Sequence, residues 1–397
     1  MKLRLPLFLI LLSVALILPA IPLHAVELGI DVLEKNNFDL LRGKRVGLVT
    51  NQTGVNSSGE KTRLLLRKHV NLVALYTPEH GLDGTEKAGV EVRSRRDPLT
   101  GLTAYSLYGD TRKPTPQMLA GIDVLVLDMQ DIGCRSYTYI STMGKCLQAC
   151  AEQGKEFIVL DRPNPLGGNR VEGQGIEPKW ISFVGQFPVP YVHGMTMGEL
   201  ALMANAKGWM GPRCNLQVVK MRGWSREMTW PMTGLRWVPP SPNIPNEMTP
   251  NYYVITGEVG ELAGGLDQGL FSPRAFQVLG AHWVKPQMVT RLRSQCEGIS
   301  VGPTTTSCGP GVIFHANPRG GGDLAAAALY TLAECNKESH GLIFTQASKT
   351  KINLFDKVYG SDSIRHELAV HRPEQIVASW RAPLARFRAD RQPYLLY

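Results

Sequence analysis

The sequence lacks the short motifs that mark several classes of enzyme. Its 397 residues contain no Walker loop, no H-E-x-x-H, and no G-x-G-x-x-G after the first apolar run. No C-x-x-C pair occurs, and the nine His are isolated from the seven Cys. Nucleotide cofactors and zinc sites therefore lose their usual support. The sequence predicts a protein without a cofactor or a metal.

Long apolar runs are also scarce. One run covers residues 5–21, follows two basic residues and ends shortly before Ala25. This pattern predicts a signal peptide over residues 1–25, and hence a secreted protein of the periplasm. A membrane anchor is the alternative, but prolines interrupt a run that is barely long enough to span a bilayer. No second run of spanning length follows, so no stable membrane insertion is expected after cleavage.

Acidic residues are fewer than basic ones. The chain holds 43 Lys and Arg against 34 Asp and Glu, a formal net charge of +9. Loss of the predicted signal peptide removes Lys2 and Arg4 and leaves 41 against 34, or +7. A basic protein outside the cytoplasm suits acidic polymers such as cell-wall glycans, and nucleic acid is not an expected partner there. The alternative is a patchy charged surface without a partner.

Short apolar runs alternate with helix-like stretches through the first half of the chain. The runs cover residues 45–49, 72–76, 122–127 and 157–160, and helical spacing follows at 60–68 and 138–153. Near-continuous apolar strands separated by helices are typical of a parallel sheet that is covered on both faces. The sequence therefore predicts an α/β fold with a Rossmann-like, doubly wound and mostly parallel sheet.

A proline-rich stretch divides the chain. Residues 237–245 read Trp-Val-Pro-Pro-Ser-Pro-Asn-Ile-Pro, a stiff sequence that suits a linker or the wall of a cleft. Beyond it lie an apolar run at 312–314, a helix over 323–335 and a closing helix over 374–391. We expect a Rossmann-like catalytic domain over 26–245 and a smaller α+β auxiliary domain over 246–397.

Each predicted strand of the first half runs into a polar loop. The carboxyl ends of parallel strands share one edge of the sheet, where ligands bind in this class of fold. Glu79 follows the second strand in a Pro-Glu-His-Gly turn, and Glu172 follows the loop of the fourth strand. Glycosidic cleavage needs two carboxyl groups, since one protonates the leaving oxygen and the other activates water or attacks the anomeric carbon. The alternative is that both are solvent-facing charges in loops.

Other side chains at this edge suit an anionic sugar. Arg135 and Arg162 are forked donors for a carboxylate, and Tyr137 offers an aromatic wall. His193 either joins the site or belongs to the loop that enters a helix at a predicted capping box. The predicted binding residues are Asn51, His80, Gln130, Asp131, Arg135, Tyr137, Arg162, Asn164, His193 and Asn243. Most of the Asn and Asp residues are individually also explained as turn formers.

Longer motifs resemble those of a known family. They include Gly-Leu-Val-Thr-Asn-Gln-Thr-Gly at 47–54, Thr-Pro-Glu-His-Gly-Leu at 77–82, Tyr-Ser-Leu-Tyr-Gly at 105–109 and Asp-Arg-Pro-Asn-Pro-Leu-Gly-Gly at 161–168. Nearly the whole chain beyond the predicted signal peptide resembles the NamZ family of exo-acting β-N-acetylmuramidases. The resemblance implies a Rossmann-like domain that carries the active site, an auxiliary domain, and release of N-acetylmuramic acid from the non-reducing end of peptidoglycan fragments without a cofactor. Glu79 matches the family's catalytic glutamate, and Glu172 matches a second candidate.

One segment departs from the family pattern. After the proline-rich stretch the family reads Glu-Gly-Thr-Asn and then Glu-Gly-Arg-Gly-Thr, whereas residues 256–269 here lack that Arg. Glu258, Glu261 and Asp267 are the candidates to take its place. Two alternatives to the predicted hydrolase follow from this departure. They are a muropeptide-binding protein without turnover and a hydrolase for another acidic sugar.

Overall fold

The computed structural model describes residues 26–262 and 265–397, so the predicted signal peptide at 1–25 lies outside the described residues. The strands of the first part are β1 Arg45–Thr50, β2 Asn71–Thr77, β3 Arg95–Arg96, β4 Thr103–Ser106, β5 Val124–Asp128, β6 Glu156–Leu160 and β7 Asn215–Val219. Its helices are α1 Gly29–Lys35, α2 Thr62–His69, α3 Pro116–Leu119, α4 Tyr139–Glu152 and α5 Met197–Lys207. Strands and helices therefore alternate along the chain, as the apolar pattern predicts.

Strands β1 to β7 form one sheet in the order β3-β4-β2-β1-β5-β6-β7. Neighbouring strands are parallel except for the short edge pair β3 and β4. Alternate residues pack on opposite faces, since Val49 and Leu127 belong to one hydrophobic core and Leu48 and Val126 to the other. The predicted doubly wound, mostly parallel α/β fold is confirmed.

The register of the central strands places their polar loops side by side. Val49 of β1 lies opposite Tyr76 of β2 and Leu127 of β5, so the three strands end at one level. The chain then leaves this edge in the loops that carry Asn51, Glu79 and the residues after Asp128. Side chains that are distant in sequence therefore meet at the carboxyl edge of the sheet.

The second part is smaller and mixes helices with an antiparallel sheet. Its elements are α6 Thr249–Gly260, β8 Val278–Gly280, α7 Pro286–Gln295, β9 Ser300–Thr306, β10 Gly309–His315, α8 Leu324–Glu338, α9 Leu342–Thr345, α10 Lys349–Tyr359, α11 Ile364–Val370, α12 Pro373–Ser379 and α13 Arg381–Arg391. The sheet order is β8-β10-β9, and the apolar run 312–314 lies in the central strand β10. Across residues 26–262 and 265–397, no helix has the length and apolar character needed to cross a membrane.

Helix starts follow local capping chemistry. The capping box predicted before α5 is present, since Thr196 Oγ1 accepts from the Glu199 N–H at 3.2 Å and the Glu199 carboxylate accepts from the Thr196 N–H at 3.0 Å. Asp323 caps α8 by accepting from the Ala326 N–H at 2.8 Å. The prediction of a single closing helix over 374–391 is wrong, because the chain forms two helices there, α12 and α13. Pro383 lacks the N–H that would continue the ladder across this junction.

The proline-rich stretch lies against the carboxyl edge of the sheet. Gln52, just after β1, donates from Nε2 to the carbonyls of Pro239 at 2.7 Å and Pro240 at 2.9 Å. The Tyr139 hydroxyl at the start of α4 donates to the same Pro240 carbonyl at 2.5 Å. These bonds fix the stretch as a wall across the edge where the polar loops meet.

Candidate active site

Glu79 stands at the carboxyl end of β2. The strand ends at Thr77, and Glu79 is only 7% exposed. Its Oε2 accepts a hydrogen bond of 2.7 Å from Thr138 Oγ1, and its Oε1 accepts one of 2.7 Å from the Gly89 N–H. Donors at both oxygens stabilise a carboxylate and fix its orientation. The arrangement suits a group that attacks an anomeric carbon or takes a proton from water.

The turn after Glu79 is sharp and closed by its own hydrogen bonds. His80 has a left-handed backbone with φ of 68°, which is uncommon for a residue with a side chain. Its Nδ1 donates to the Glu86 carbonyl at 2.7 Å, and the Glu86 N–H donates back to the His80 carbonyl at 3.2 Å. The predicted binding residue His80 therefore uses one ring nitrogen to hold the loop that positions Glu79.

Tyr108 is a partner of Glu79 that motif reasoning missed. Burial raises the pKa of the Tyr108 phenol, and the Glu79 carboxylate raises it further. The hydroxyl therefore stays protonated and remains a donor near neutral pH. The Arg112 guanidinium lies 3.5 Å from the centre of the Tyr108 ring. The only sequence signal was the Tyr-Ser-Leu-Tyr-Gly motif at 105–109, which says nothing about contact with Glu79.

Three tyrosines pack together beside this carboxylate. The Tyr137 ring lies 4.8 Å from that of Tyr139 and 6.1 Å from that of Tyr253, both edge to face. The Tyr253 hydroxyl, which α6 supplies, lies 3.1 Å from Ser136 Oγ. Burial, with a contribution from the Glu79 carboxylate, raises the pKa of both Tyr139 and Tyr253. The predicted aromatic residue Tyr137 thus belongs to a cluster that joins the first part of the chain to the second.

Asn51 and Asn243 take part in loops at the same edge. Asn51 Oδ1 accepts from the Thr53 N–H at 2.9 Å and from Thr53 Oγ1 at 2.6 Å. Its Nδ2 is buried, without a hydrogen-bond partner in the part of the chain that the structure describes. Asn243 Oδ1 accepts from the Phe271 N–H at 2.7 Å, which ties the proline-rich stretch to the loop after 269. The Asn51 amide nitrogen therefore remains available to donate to a ligand, whereas the Asn243 oxygen is engaged.

Five predicted binding residues surround a very small internal cavity. They are Gln130, Asp131, Arg162, Asn164 and His193, and the cavity measures about 10 Å³. That volume holds roughly one water molecule and excludes a sugar ring. Gln130 Nε2 donates to the carbonyls of Asp131 and Pro163, each at 2.8 Å, and Asn164 Nδ2 donates to the Met195 carbonyl at 3.0 Å. The structure brings these residues together as an internal network that ties loops to one another.

Burial shifts the pKa values of two side chains of this network, Asp131 and His193, in opposite directions. It raises the pKa of Asp131 to about 7, against hydrogen bonds from the Gly133 and Ile132 N–H groups. It lowers the pKa of His193 to about 3, and nearby arginines lower it further. His193 Nδ1 accepts from the Met195 N–H at 3.2 Å, so the neutral ring carries its proton on Nε2. Within the described residues, no group of three or more His, Cys, Asp or Glu side chains is placed to hold a metal ion.

The two arginines predicted to grip a carboxylate are engaged elsewhere. Arg135 is fully buried and donates to four backbone carbonyls. Arg162 is 4% exposed and pairs with Asp128, with Nε 2.6 Å from Oδ1 and Nη2 3.0 Å from Oδ2. Because Asp128 is itself buried, the pair neutralises both charges inside the sheet edge. In the part of the chain that the structure describes, neither guanidinium donates a hydrogen bond to the Glu79 carboxylate.

Glu172 is placed at the start of α8. Its Oε1 pairs with Arg170, and its Oε2 accepts from the backbone N–H groups of Leu324 at 2.8 Å and Ala325 at 3.4 Å. Burial raises the pKa of Glu172 to about 7, although Arg170 opposes the shift. Among the described residues, Glu172 and Glu79 share no hydrogen-bond partner. The catalytic role of Glu172 stays a prediction, and its contacts are those of a carboxylate at a helix N-terminus.

Residues 256–269, which differ from the family pattern, include three acidic residues with different surroundings. Glu258 is buried, and its Oε1 accepts from Gln174 Nε2 at 3.1 Å. Asp267 accepts from the N–H groups of Gly269 and Ser307, each at 2.7 Å. Burial raises the pKa of Glu261; Lys351 opposes this shift, and the Glu79 carboxylate adds to it. Of the three candidates, Glu261 is thus the one whose ionisation depends on Glu79.

The comparisons with known proteins cover both parts of the chain. Residues 46–248 match the family model described as Exo-beta-N-acetylmuramidase NamZ, N-terminal, and residues 252–397 match its C-terminal counterpart. The Peptidoglycan beta-N-acetylmuramidase NamZ of Bacillus subtilis (strain 168) is 36% identical over 386 residues, which cover 94% of this chain and 91% of that protein.

Two solved structures share the fold. Both are DUF1343 family proteins of Bacteroides fragilis NCTC 9343, and each comparison covers 94% of this chain and 99% of the other. One has a TM-score of 0.87 at 43% sequence identity. The other has a TM-score of 0.71 at 28% identity. The likeness therefore extends over the parallel sheet and the smaller second part together.

Proposed function

The chain belongs to the exo-β-N-acetylmuramidase NamZ family and is a glycoside hydrolase, and from this premise we propose that it releases N-acetylmuramic acid from the non-reducing end of peptidoglycan fragments. The observation that carries the proposal is the setting of Glu79. Its carboxylate is buried at the edge of a parallel sheet and held by Thr138 and Gly89. Such a fixed carboxylate is one half of the pair that glycosidic cleavage requires.

We assign Glu79 the role of the ionised carboxylate. Two donors are already directed at its oxygens, so its orientation is set before substrate arrives. In that form it either attacks the anomeric carbon or removes a proton from the attacking water. The protonated Tyr108 hydroxyl adds a third polar group beside it.

Two acids are candidates for the proton donor, Glu172 from the motif match and Glu261 from the segment 256–269. A general acid must hold its proton near neutral pH. Burial raises the pKa of Glu172 to about 7, although Arg170 opposes the shift. Burial also raises the pKa of Glu261, which Lys351 opposes and the Glu79 carboxylate supports. Substitution of each acid by Gln, with kcat measured on the same substrate, separates the two candidates.

The substrate and the exo mode are tested with defined saccharides. Mature protein is incubated with a disaccharide that carries N-acetylmuramic acid at its non-reducing end, and with the reverse disaccharide as the matched control. We expect free N-acetylmuramic acid from the first and no product from the second, measured by mass spectrometry. On longer glycans labelled at the reducing end, single-sugar release without internal fragments is expected.

The segment 256–269 lacks the Arg of the family pattern, and two outcomes of this test would support the alternatives that follow from this difference. Tight sugar binding by calorimetry without any product would show a muropeptide-binding protein instead of an enzyme. Turnover only on saccharides with another acidic sugar would overturn the substrate assignment.

We also propose that the protein acts in the periplasm, where the predicted signal peptide at 1–25 would deliver it. Peptidoglycan fragments are its proposed partners there, and neither nucleic acid nor a membrane is required. Cell fractionation with an antibody tests this localisation. Recovery of the uncleaved chain from the cytoplasm would contradict it.

A further inference from the structure

A cavity of about 290 Å³ opens at the carboxyl edge of the sheet, and Glu79 is not among its lining residues. Its walls come from the loop after β1, from Gln130 after β5, from Arg162 after β6 and from the segment 230–238. Strands β1 and β5 are neighbours, and the chain leaves them toward opposite ends of the sheet. A crevice at this reversal of strand order is the usual ligand position in open α/β sheets.

The cavity is separated from Glu79 by a series of contacts. Thr138 donates to Glu79, and the next residue, Tyr139, donates to the Pro240 carbonyl. Gln52, which lines the cavity, donates to that same carbonyl. A ligand in the cavity would therefore be bound beyond this wall, apart from the hydrolytic carboxylate.

The charge of the lining is positive. Lys61, Arg162 and Arg236 line the cavity, and no Asp or Glu does. The Arg162 charge is neutralised by Asp128. Lys61 and the exposed Arg236 make no ion pair with the residues that the structure describes, so two cations remain for an anion.

Three buried polar atoms of the lining have no hydrogen-bond partner in the described residues, and they are Gln52 Oε1, Gln130 Oε1 and Trp230 Nε1. Gln130 is 3% exposed, and both bonds of its Nε2 go to backbone carbonyls, which leaves Oε1 without a donor in the described residues. Trp230 is 4% exposed, and its Nε1 likewise has no acceptor there. Buried polar groups are normally satisfied, so two acceptors and one donor remain for a polar ligand.

We propose that this cavity is a second ligand site, which takes a single sugar that bears an oxyanion, either a carboxylate or a phosphate. The two cations would meet the oxyanion, and Gln130 and Trp230 would meet hydroxyl or amide groups. The volume is near the lower end of ligand pockets, about 300–1,000 Å³, and so suits one sugar unit. The site does not depend on hydrolysis at Glu79.

Calorimetric titration of the mature protein in phosphate-free buffer tests the proposal. The ligands are N-acetylmuramic acid, N-acetylglucosamine 6-phosphate, neutral N-acetylglucosamine and inorganic phosphate. We expect one or both acidic sugars to bind at least about tenfold more tightly than either the neutral sugar or phosphate alone. Which acidic sugar binds identifies the source of the oxyanion.

A pair of double variants locates the binding. Lys61→Gln with Arg236→Gln should weaken the acidic sugar at least about tenfold. Lys207→Gln with Arg386→Gln removes the same charge from exposed positions outside the cavity and should leave the affinity unchanged. Equal affinities in the two double variants, with matching melting temperatures, would overturn the proposal. Equal binding of the neutral sugar, or of inorganic phosphate, would also overturn it.

Discussion

Arg135 joins distant segments through one buried side chain. Nη1 donates to the carbonyls of Gln174 and Val189 at 2.9 Å each, and Nη2 donates to that of Tyr359 at 2.7 Å. Burial lowers the pKa of the guanidinium, while the carboxylate of Glu258 opposes the shift. The positive charge is thus held by backbone dipoles and one acid, which is a structural use of the residue.

Replacement of Arg135 by Met should lower the free energy of unfolding by about 3–5 kcal/mol, because buried carbonyls lose their donors and Glu258 loses its partner. Urea unfolding measures the loss. Arg386→Met is the matched control, since Arg386 is exposed on α13. Wild-type stability with a raised KM would instead support the substrate contact predicted from the sequence.

Glu258 makes stability depend on pH. Burial raises its pKa to about 7, although Arg135 pulls the value down. The unfolded chain releases this proton near pH 4.5, so the folded state binds more protons between the two values. The protonated Glu258 therefore stabilises the fold fully below the pKa of the unfolded state. This contribution is lost as the pH rises through the folded-state pKa of about 7.

Between pH 5 and pH 8 the wild type should therefore lose more unfolding free energy than Glu258→Gln, by about 3 kcal/mol at most. Urea titrations of both proteins at the two pH values give the difference. Parallel losses in the two proteins would show that Glu258 does not carry the effect.

The residues that sequence reasoning places well are those with local signals. Glu79 lies in a rigid turn directly after a strand, so its position follows from its neighbours. Arg162 pairs with Asp128 from 34 residues earlier, and this happens only because β5 and β6 become adjacent. Arg135 donates to Tyr359, 224 residues away, which no local pattern reveals.

At the scale of elements, α8 depends on an acid from the other part of the chain. Its N-terminal N–H groups at Leu324 and Ala325 donate to Glu172, while Asp323 caps Ala326. A carboxylate at this position also meets the positive end of the helix dipole. The contact therefore fastens α8 to the loop after β6.

Substitution of Glu172 by Gln should cost about 1–2 kcal/mol of stability, because the Arg170 pair and the helix-end charge are lost. If Glu261 is the proton donor, kcat stays within a few fold of wild type. Thermal melts and steady-state kinetics of the same preparation measure both quantities. A loss of kcat as large as that of a Glu79 variant would make Glu172 the second catalytic carboxyl.

Strands with an apolar run can be predicted from the sequence alone. Other strands form only because they pair with a neighbouring strand. The apolar runs predict β1, β2, β5 and β6 to within two residues. Strand β9 contains Pro303 and several threonines and has no apolar alternation. It is a strand because it pairs with β10, where Gly302 lies opposite Ile313.

On the scale of the whole molecule, the two parts share one hydrophobic core. Tyr76 and Val159 of the parallel sheet belong to the same buried cluster as Leu329 and Phe355 of the second part. Tyr397 adds a polar connection, since its hydroxyl donates to Asp161 Oδ2 at 2.8 Å. The two parts are therefore expected to depend on each other for stability.

Calorimetric unfolding of the mature protein should show one transition, with equal calorimetric and van't Hoff enthalpies. A fragment that ends at residue 248, where the first family match ends, should not fold alone, because it exposes the shared core. Two separated transitions, or a fragment that folds with a cooperative melt, would contradict this.

Steady-state turnover of a chromogenic N-acetylmuramic acid glycoside by Glu79→Gln tests whether the Glu79 carboxylate carries out the hydrolysis. The substitution keeps the size and the contact with Thr138 but removes the charge. We expect kcat to fall by about 1,000-fold while the melting temperature stays close to that of the wild type. Turnover at the wild-type rate would show that Glu79 does not carry out the hydrolysis.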